Sequence, residues 1–226
     1  MGTYIARRLG LAAVAMIGLT VITFVVSHAV PADPIVANLG QQASQRPEIV
    51  AAFRAKWGLD RPLHVQYLTF LGGVVRGDFG VSINTRRAVT RDLKQFLPAT
   101  VELSTVAIIF AVVVGLPLGV LSALYRDSPI DHLARLVSLV GVSIPIFWLA
   151  TVSLVVFYAA LSVAPGPGRL GPQVPMPPGL TGFYVIDSLV TGHFATMRSA
   201  LAHLVLPALV LSSSVMGLVT RVTRSS

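Results

Sequence analysis

Residues 103–125 read LSTVAIIFAVVVGLPLGVLSALY, a stretch without a charged side chain, with Glu102 just before it and Arg126 just after. A helix needs about 20 mostly apolar residues to cross the hydrocarbon core of a bilayer, and this stretch has that length. Three others resemble it. Leu9 to Ser27 carries no charge and stays apolar to Val30, with Arg7 and Arg8 before it and Pro31-Ala32-Asp33-Pro34 after it. Proline cannot continue a helix and restricts its neighbour, so those prolines mark its end. A cleaved signal peptide has a shorter apolar core, about 7–15 residues, which favours a retained anchor. Leu136 to Ala164 is long enough to span with tilt or with a kink at Pro145. Leu201 to Val219 is interrupted by His203 and Pro207; prolines in apolar spans are tolerated because neighbouring helices re-satisfy the freed carbonyls.

Composition agrees with lipid as part of the solvent. The chain is 54% hydrophobic and 12% charged, about half the charge of a soluble globular domain. Seventeen Lys and Arg against nine Asp and Glu give a net charge of +8. These positives lie between apolar runs and form no continuous basic face, which argues against nucleic acid as partner and for membrane topology. Arg7 and Arg8 then place the N-terminus inside, and Arg126, Arg135, Arg221 and Arg224 fall on the same side of a four-span arrangement, as the positive-inside bias requires. The segment from Pro31 to about Pro98 lies outside. It contains an amphipathic helix at Pro47–Trp57, with Gly58 just past its end and Ile49, Val50, Phe53 and Trp57 on one side. A second short helix runs from about Pro62 to Val75. Pro165 to Pro178 is rich in Pro and Gly, which marks a loop.

No motif supplies catalysis. Gly77-Asp78-Phe79-Gly80 contains the Asp-Phe-Gly triplet of kinases without a kinase's other elements, and a turn is the better reading. The P-loop pattern and the G-x-S-x-G nucleophile elbow are both absent. Cysteine is absent, and the five histidines lie in different segments without metal-ligand spacing. Gly115 and Gly119 form a G-x-x-x-G that suits close helix packing. Ser143, Pro145, Phe147 and Trp148 sit inside the third apolar stretch; an ordinary kink with aromatic packing is the favoured reading, and a pathway-lining role the other.

Taken in order, these residues resemble the first permease subunit of the dipeptide/oligopeptide/nickel ABC importers. The resemblance rests on Tyr4-Ile5-Ala6-Arg7-Arg8-Leu9, Pro31-Ala32-Asp33-Pro34, Leu59-Asp60-Arg61-Pro62-Leu63 and Gln66-Tyr67. It continues through Gly77-Asp78-Phe79-Gly80-Val81-Ser82, Leu97-Pro98-Ala99-Thr100-Val101-Glu102-Leu103, Gly115 to Gly119, Ser143-Ile144-Pro145 with Phe147-Trp148, Leu206-Pro207-Ala208-Leu209 and Arg221 to Ser226. It implies an all-α, polytopic helical integral membrane protein with a partial type I ABC importer permease fold. Residues 1–97 would form an N-terminal transmembrane helix plus an extracytoplasmic segment. Residues 98–226 would form a partial permease core with spans at about 103–125, 136–164 and 201–219. The implied role is a multi-pass inner-membrane permease subunit, not an enzyme, that forms part of a pathway for peptides or related small solutes. Its implied partners are a second permease, cytoplasmic ATPase subunits and an extracytoplasmic binding protein; ATP would be bound by the ATPases, and no cofactor by this chain. In the family a coupling loop and two further spans follow the Thr-Arg-Ser-Ser stretch, whereas this sequence ends at Ser226. A truncated, non-transporting remnant, or half of a split subunit, is therefore the alternative expectation.

Overall fold

The structure, a computed structural model, describes residues 1–29, 45–82 and 84–225; the helix end expected at Pro31-Ala32-Asp33-Pro34 lies outside them. All named elements among the described residues are helical. The chain divides into two compact units, Met1–Asp92 and Leu93–Ser226.

In the first unit, α1 (Gly2–Ala29) is long and apolar enough to cross a membrane. Helix α2 (Pro47–Trp57) has proline in its first turn and ends at Gly58, whose φ of 63° only glycine adopts freely. Helix α3 (Leu63–Val75) follows. Tyr67 of α3 meets α1 through a 3.0 Å hydrogen bond with Thr20 Oγ1 and an edge contact with the Phe24 ring. Gly77-Asp78-Phe79-Gly80 forms a tight turn, in which the Gly80 amide donates to Asp78 Oδ1 at 3.0 Å.

The second unit is built on two long helices, α4 (Val89–Leu124, which begins before the unit boundary) and α8 (Phe194–Ser225). Both extend well beyond the apolar stretches read from sequence, and each keeps a proline inside, Pro117 and Pro207 among them. Between them come α5 (Pro129–Ser143), α6 (Ile146–Ser153), a π-helical segment (Leu154–Ala160) and the short α7 (Tyr184–Val190). The third apolar stretch is thus not one kinked helix. The chain turns by 103° between Ser143 and Ile146. Pro145 causes the break: it lacks an amide proton and drives the preceding residue out of the helical region, and Ile144 lies at φ −85°, ψ 128°.

The packing inverts that of a soluble domain. On α4 the buried side chains include Ala107, Ala111, Gly115, Gly119 and Ser122; on α5 they include Ala134, Ser138 and Gly141; on α8 they include Ala200, Ala208, Ser212, Gly217 and Thr220. Val113, Leu116, Leu133 and Leu218 face outward. Lipid is as apolar as leucine, so helices associate through close backbone approach, which small residues permit. A Cβ added to Gly119 would fall 2.6 Å from Thr223 Cβ and 2.9 Å from the Thr220 carbonyl oxygen.

Candidate functional site

Two polar clusters flank this seam. The first centres on Asp131. Ser128 caps α5 and accepts the Asp131 amide at 3.4 Å, with Pro129 at the first helical position. The cap fixes Asp131 in the first turn, where its buried carboxylate collects donors from three helices. Ser122 Oγ of α4 and Arg135 Nη2 of α5 donate to it, and the Asp127 amide does so at 3.0 Å. Arg224 of α8 donates from Nε at 2.8 Å and from Nη2 at 3.1 Å. A carboxylate removed from water needs this many partners to remain ionised. Arg135 also pairs with Asp127 at 2.9 Å.

The second cluster ties the 161–183 loop and the first turn of α7 to α4 at Glu102, just before the uncharged stretch of that helix. Glu102 of α4 accepts from Arg169 Nη2 at 2.8 Å and from the Val185 amide at 2.8 Å. Arg169 also donates to the Gly182 carbonyl at 3.0 Å and stacks 3.5 Å from the centre of the Tyr184 ring. Asp187 accepts from Thr181 Oγ1 at 2.6 Å and from the Gly182 amide at 2.9 Å. Burial pushes the Asp187 carboxyl up, but the bonds from Thr181 and the loop amides outweigh it and hold the group below the ordinary carboxylate value.

At 1.5 Å per residue, Glu102 and Ser122 lie about 30 Å apart along α4, the thickness of the hydrocarbon core. The helix between them is uncharged. The α5–α6 break falls between the two levels. Gly141 lies against Ser213, where an added Cβ would be 2.6 Å from the Ser213 carbonyl oxygen, and Ser213 is about 16 Å of helix from Arg224. Pro145 deprives the Gly141 carbonyl of its helical donor, and Ser214 Oγ of α8 supplies the bond instead, at 3.0 Å.

The residues singled out from sequence divide accordingly. Ser143 ends α5, and Pro145 precedes α6. Phe147 and Trp148 stand in the first turn of α6, 76% and 50% exposed. An apolar cavity of about 530 Å³, lined by Leu149, Ser153, Phe157, Leu206 and Val210 among others, lies beside the same element. Gly115 and Gly119 lie against α8, and Thr220 Oγ1 donates to the Gly115 carbonyl at 3.1 Å. Asp131, Arg169, Asp187 and Ser214 were not among the sequence candidates. One signal was available: Ser128-Pro129-Ile130-Asp131 is a capping-box pattern at the head of an apolar run.

Comparison with known proteins agrees with this architecture. Residues 115–226 match the family described as "Binding-protein-dependent transport system inner membrane component", and residues 1–104 match "Binding-prot-dependent transport system membrane comp, N-term". The chain is 43% identical over 92% of its length to the probable D,D-dipeptide transport system permease protein of Escherichia coli K12, covering 61% of that protein. It is 37% identical over its whole length to the dipeptide transport system permease protein of Alkalihalophilus pseudofirmus, covering 67% of it. For the oligopeptide transport system permease protein of Bacillus subtilis 168 the figures are 34% identity, all of this chain and 65% of the relative. The chain thus spans about two thirds of the length of these relatives. With its apolar helices, its small-residue seam and both halves matched, the chain is an integral membrane protein that belongs to the family of binding-protein-dependent transport system inner membrane components.

Proposed function

We propose that the chain is a permease subunit of an ATP-driven importer, and that it forms part of the translocation pathway for peptides or related small solutes. The peptide class is drawn from the relatives, which are named as dipeptide and oligopeptide permeases. A second permease would complete the pathway, cytoplasmic ATPase subunits would supply the energy, and an extracytoplasmic binding protein would deliver the solute. The N-terminus would be cytoplasmic. Residues 1–97 would serve as an anchoring helix with an extracytoplasmic segment, and residues 98–226 as the pathway-forming core.

The observation that carries this reading is the α5–α6 break. Non-helical backbone at membrane depth is tolerated only where protein buries it or where it lines a cavity. Here Ser214 satisfies one freed carbonyl, and the turn directs Phe147 and Trp148 away from the seam, half or more exposed. Ser143, Pro145, Phe147 and Trp148 would therefore line the pathway against the second permease. Gly115 and Gly119 would hold its frame.

The test is uptake of a labelled dipeptide into proteoliposomes that contain the chain, a second permease, the ATPases and a binding protein. Uptake that requires ATP, and slows several-fold in Trp148→Ala with assembly intact, supports the reading. Uptake that follows an ion gradient and ignores ATP overturns it.

A further inference from the structure

The Asp131 cluster does not use all of its cationic capacity. Beside it lies an open cavity of about 420 Å³, lined by Ser122, Arg135, Ser138, Leu139, Thr220, Arg221 and Arg224. A guanidinium has five N–H donors. Arg224 spends Nε and Nη2 on Asp131, and Arg135 spends Nη2 on Asp131 and Asp127, so Nη1 of each stays available to an anion. The side chain of Arg221 lines the same cavity and makes no hydrogen bond or ion pair among the described residues. Three guanidinium groups thus face two carboxylates, and the surplus is positive.

The surroundings identify the anion. The cavity lies near the helix ends that bound the apolar core: Ser122 is in the last turn of α4, and the first charge after it is Arg126. Exposed Leu139, Leu136 and Val140 continue from it along α5 into the apolar zone. A ligand here meets guanidinium donors at one end and bare aliphatic surface at the other. We propose that this cavity binds the phosphate of an anionic phospholipid headgroup, with the acyl chains along α5 and Arg221 as the guanidinium committed to the lipid. Basic pockets between spans are suited to such headgroups, and guanidinium presents paired donors to phosphate oxygens. The proposal needs membrane insertion only and is independent of transport.

The full chain, delipidated in a neutral detergent, is titrated with dioleoylphosphatidylglycerol or dioleoylphosphatidylcholine and read by native mass spectrometry. The anionic phosphatidylglycerol should bind at about tenfold lower concentration than the zwitterionic phosphatidylcholine. Arg221→Gln should weaken it about fivefold, the factor that corresponds to about 1 kcal/mol per basic residue at an anionic surface, and Arg221→Lys should keep most of it. Equal retention of the two lipids, or no effect of Arg221→Gln, overturns the proposal. Should the glutamine variant lose helicity, modification of wild-type Arg221 by phenylglyoxal decides. Protection by phosphatidylglycerol vesicles, and not by phosphatidylcholine vesicles, supports the lipid. Equal protection by 10 mM inorganic phosphate assigns the cavity to a soluble anion, and protection by the ATPase subunits alone assigns it to a protein carboxylate; either result overturns the lipid assignment.

Discussion

Single residues hold this molecule together where its helices meet. Asp131 gathers Ser122, Arg135, Arg224 and the Asp127 amide, and removing its charge leaves two arginines facing each other in a confined space. Asp131→Asn is therefore expected to lower the thermal unfolding temperature in detergent, whereas Asp127→Asn, at an exposed partner of Arg135, should shift it little. Equal shifts would deny Asp131 its central place. Asp187 predicts a pH dependence. Its carboxyl is held below the ordinary value of 3.8 in the folded chain, so its contribution is complete above that pH and is lost as pH falls through the lower folded value. Amide exchange at Thr181 and Gly182 should stay protected at neutral pH and open under strong acid, and Asp187→Asn should remove the pH dependence. None of these three-way contacts was legible in the sequence. Asp131 and Arg224 are far apart along the chain, and no local period links a helix's first turn to the last turn of another.

Among the elements, α4 shows what was legible and what was not. Gly115 and Gly119 announced a close approach, but Ala107, Ala111 and Ser122 extend the same face over four turns; the full small-residue stripe follows from spacing alone. The partner helix does not, since Thr220 and Thr223 of α8 are ordinary residues until the fold sets them against glycine. Gly119→Ala should destabilise the seam by about 1–3 kcal/mol, the usual cost of overpacking. Gly10→Ala on α1, where an added Cβ meets nothing within 4 Å, serves as the neutral comparison in the same melting assay. Pro145 gave the break its position from sequence. The 103° angle did not follow, because it depends on which neighbour satisfies the freed carbonyl. Ser214→Ala should therefore cost only about 1 kcal/mol, typical of a hydrogen bond between spans, yet it should alter the accessibility of a cysteine placed at Phe147. Unchanged labelling at that position would mean that the break is held by packing alone.

For the whole molecule, hydropathy and the distribution of arginine were enough to infer a polytopic helical protein, since both are properties of composition along the chain. Which helix ends share a side is a separate matter, and here the tertiary contacts add to the sequence. Arg135 and Arg224 meet on one carboxylate beside the end of α4, so the C-terminal ends of α4 and α8 must lie on the same side whatever the absolute orientation. Glu102, Arg169 and Tyr184 gather at the other end of the apolar stretch of α4, which sends the 161–183 loop to the opposite side. The natural chain has no cysteine, so single cysteines at Arg126, Gly179 and Ser225 test both levels with a membrane-impermeant maleimide. Positions 126 and 225 should label together and position 179 from the other side; any other grouping contradicts the fold. With arginines on the inner side, intact cells should label only position 179. Replacing Arg7 and Arg8 with Glu should then disturb the inserted orientation of α1, while a labelling pattern left unchanged by that double substitution would place the orienting signal in the arginines of the second unit.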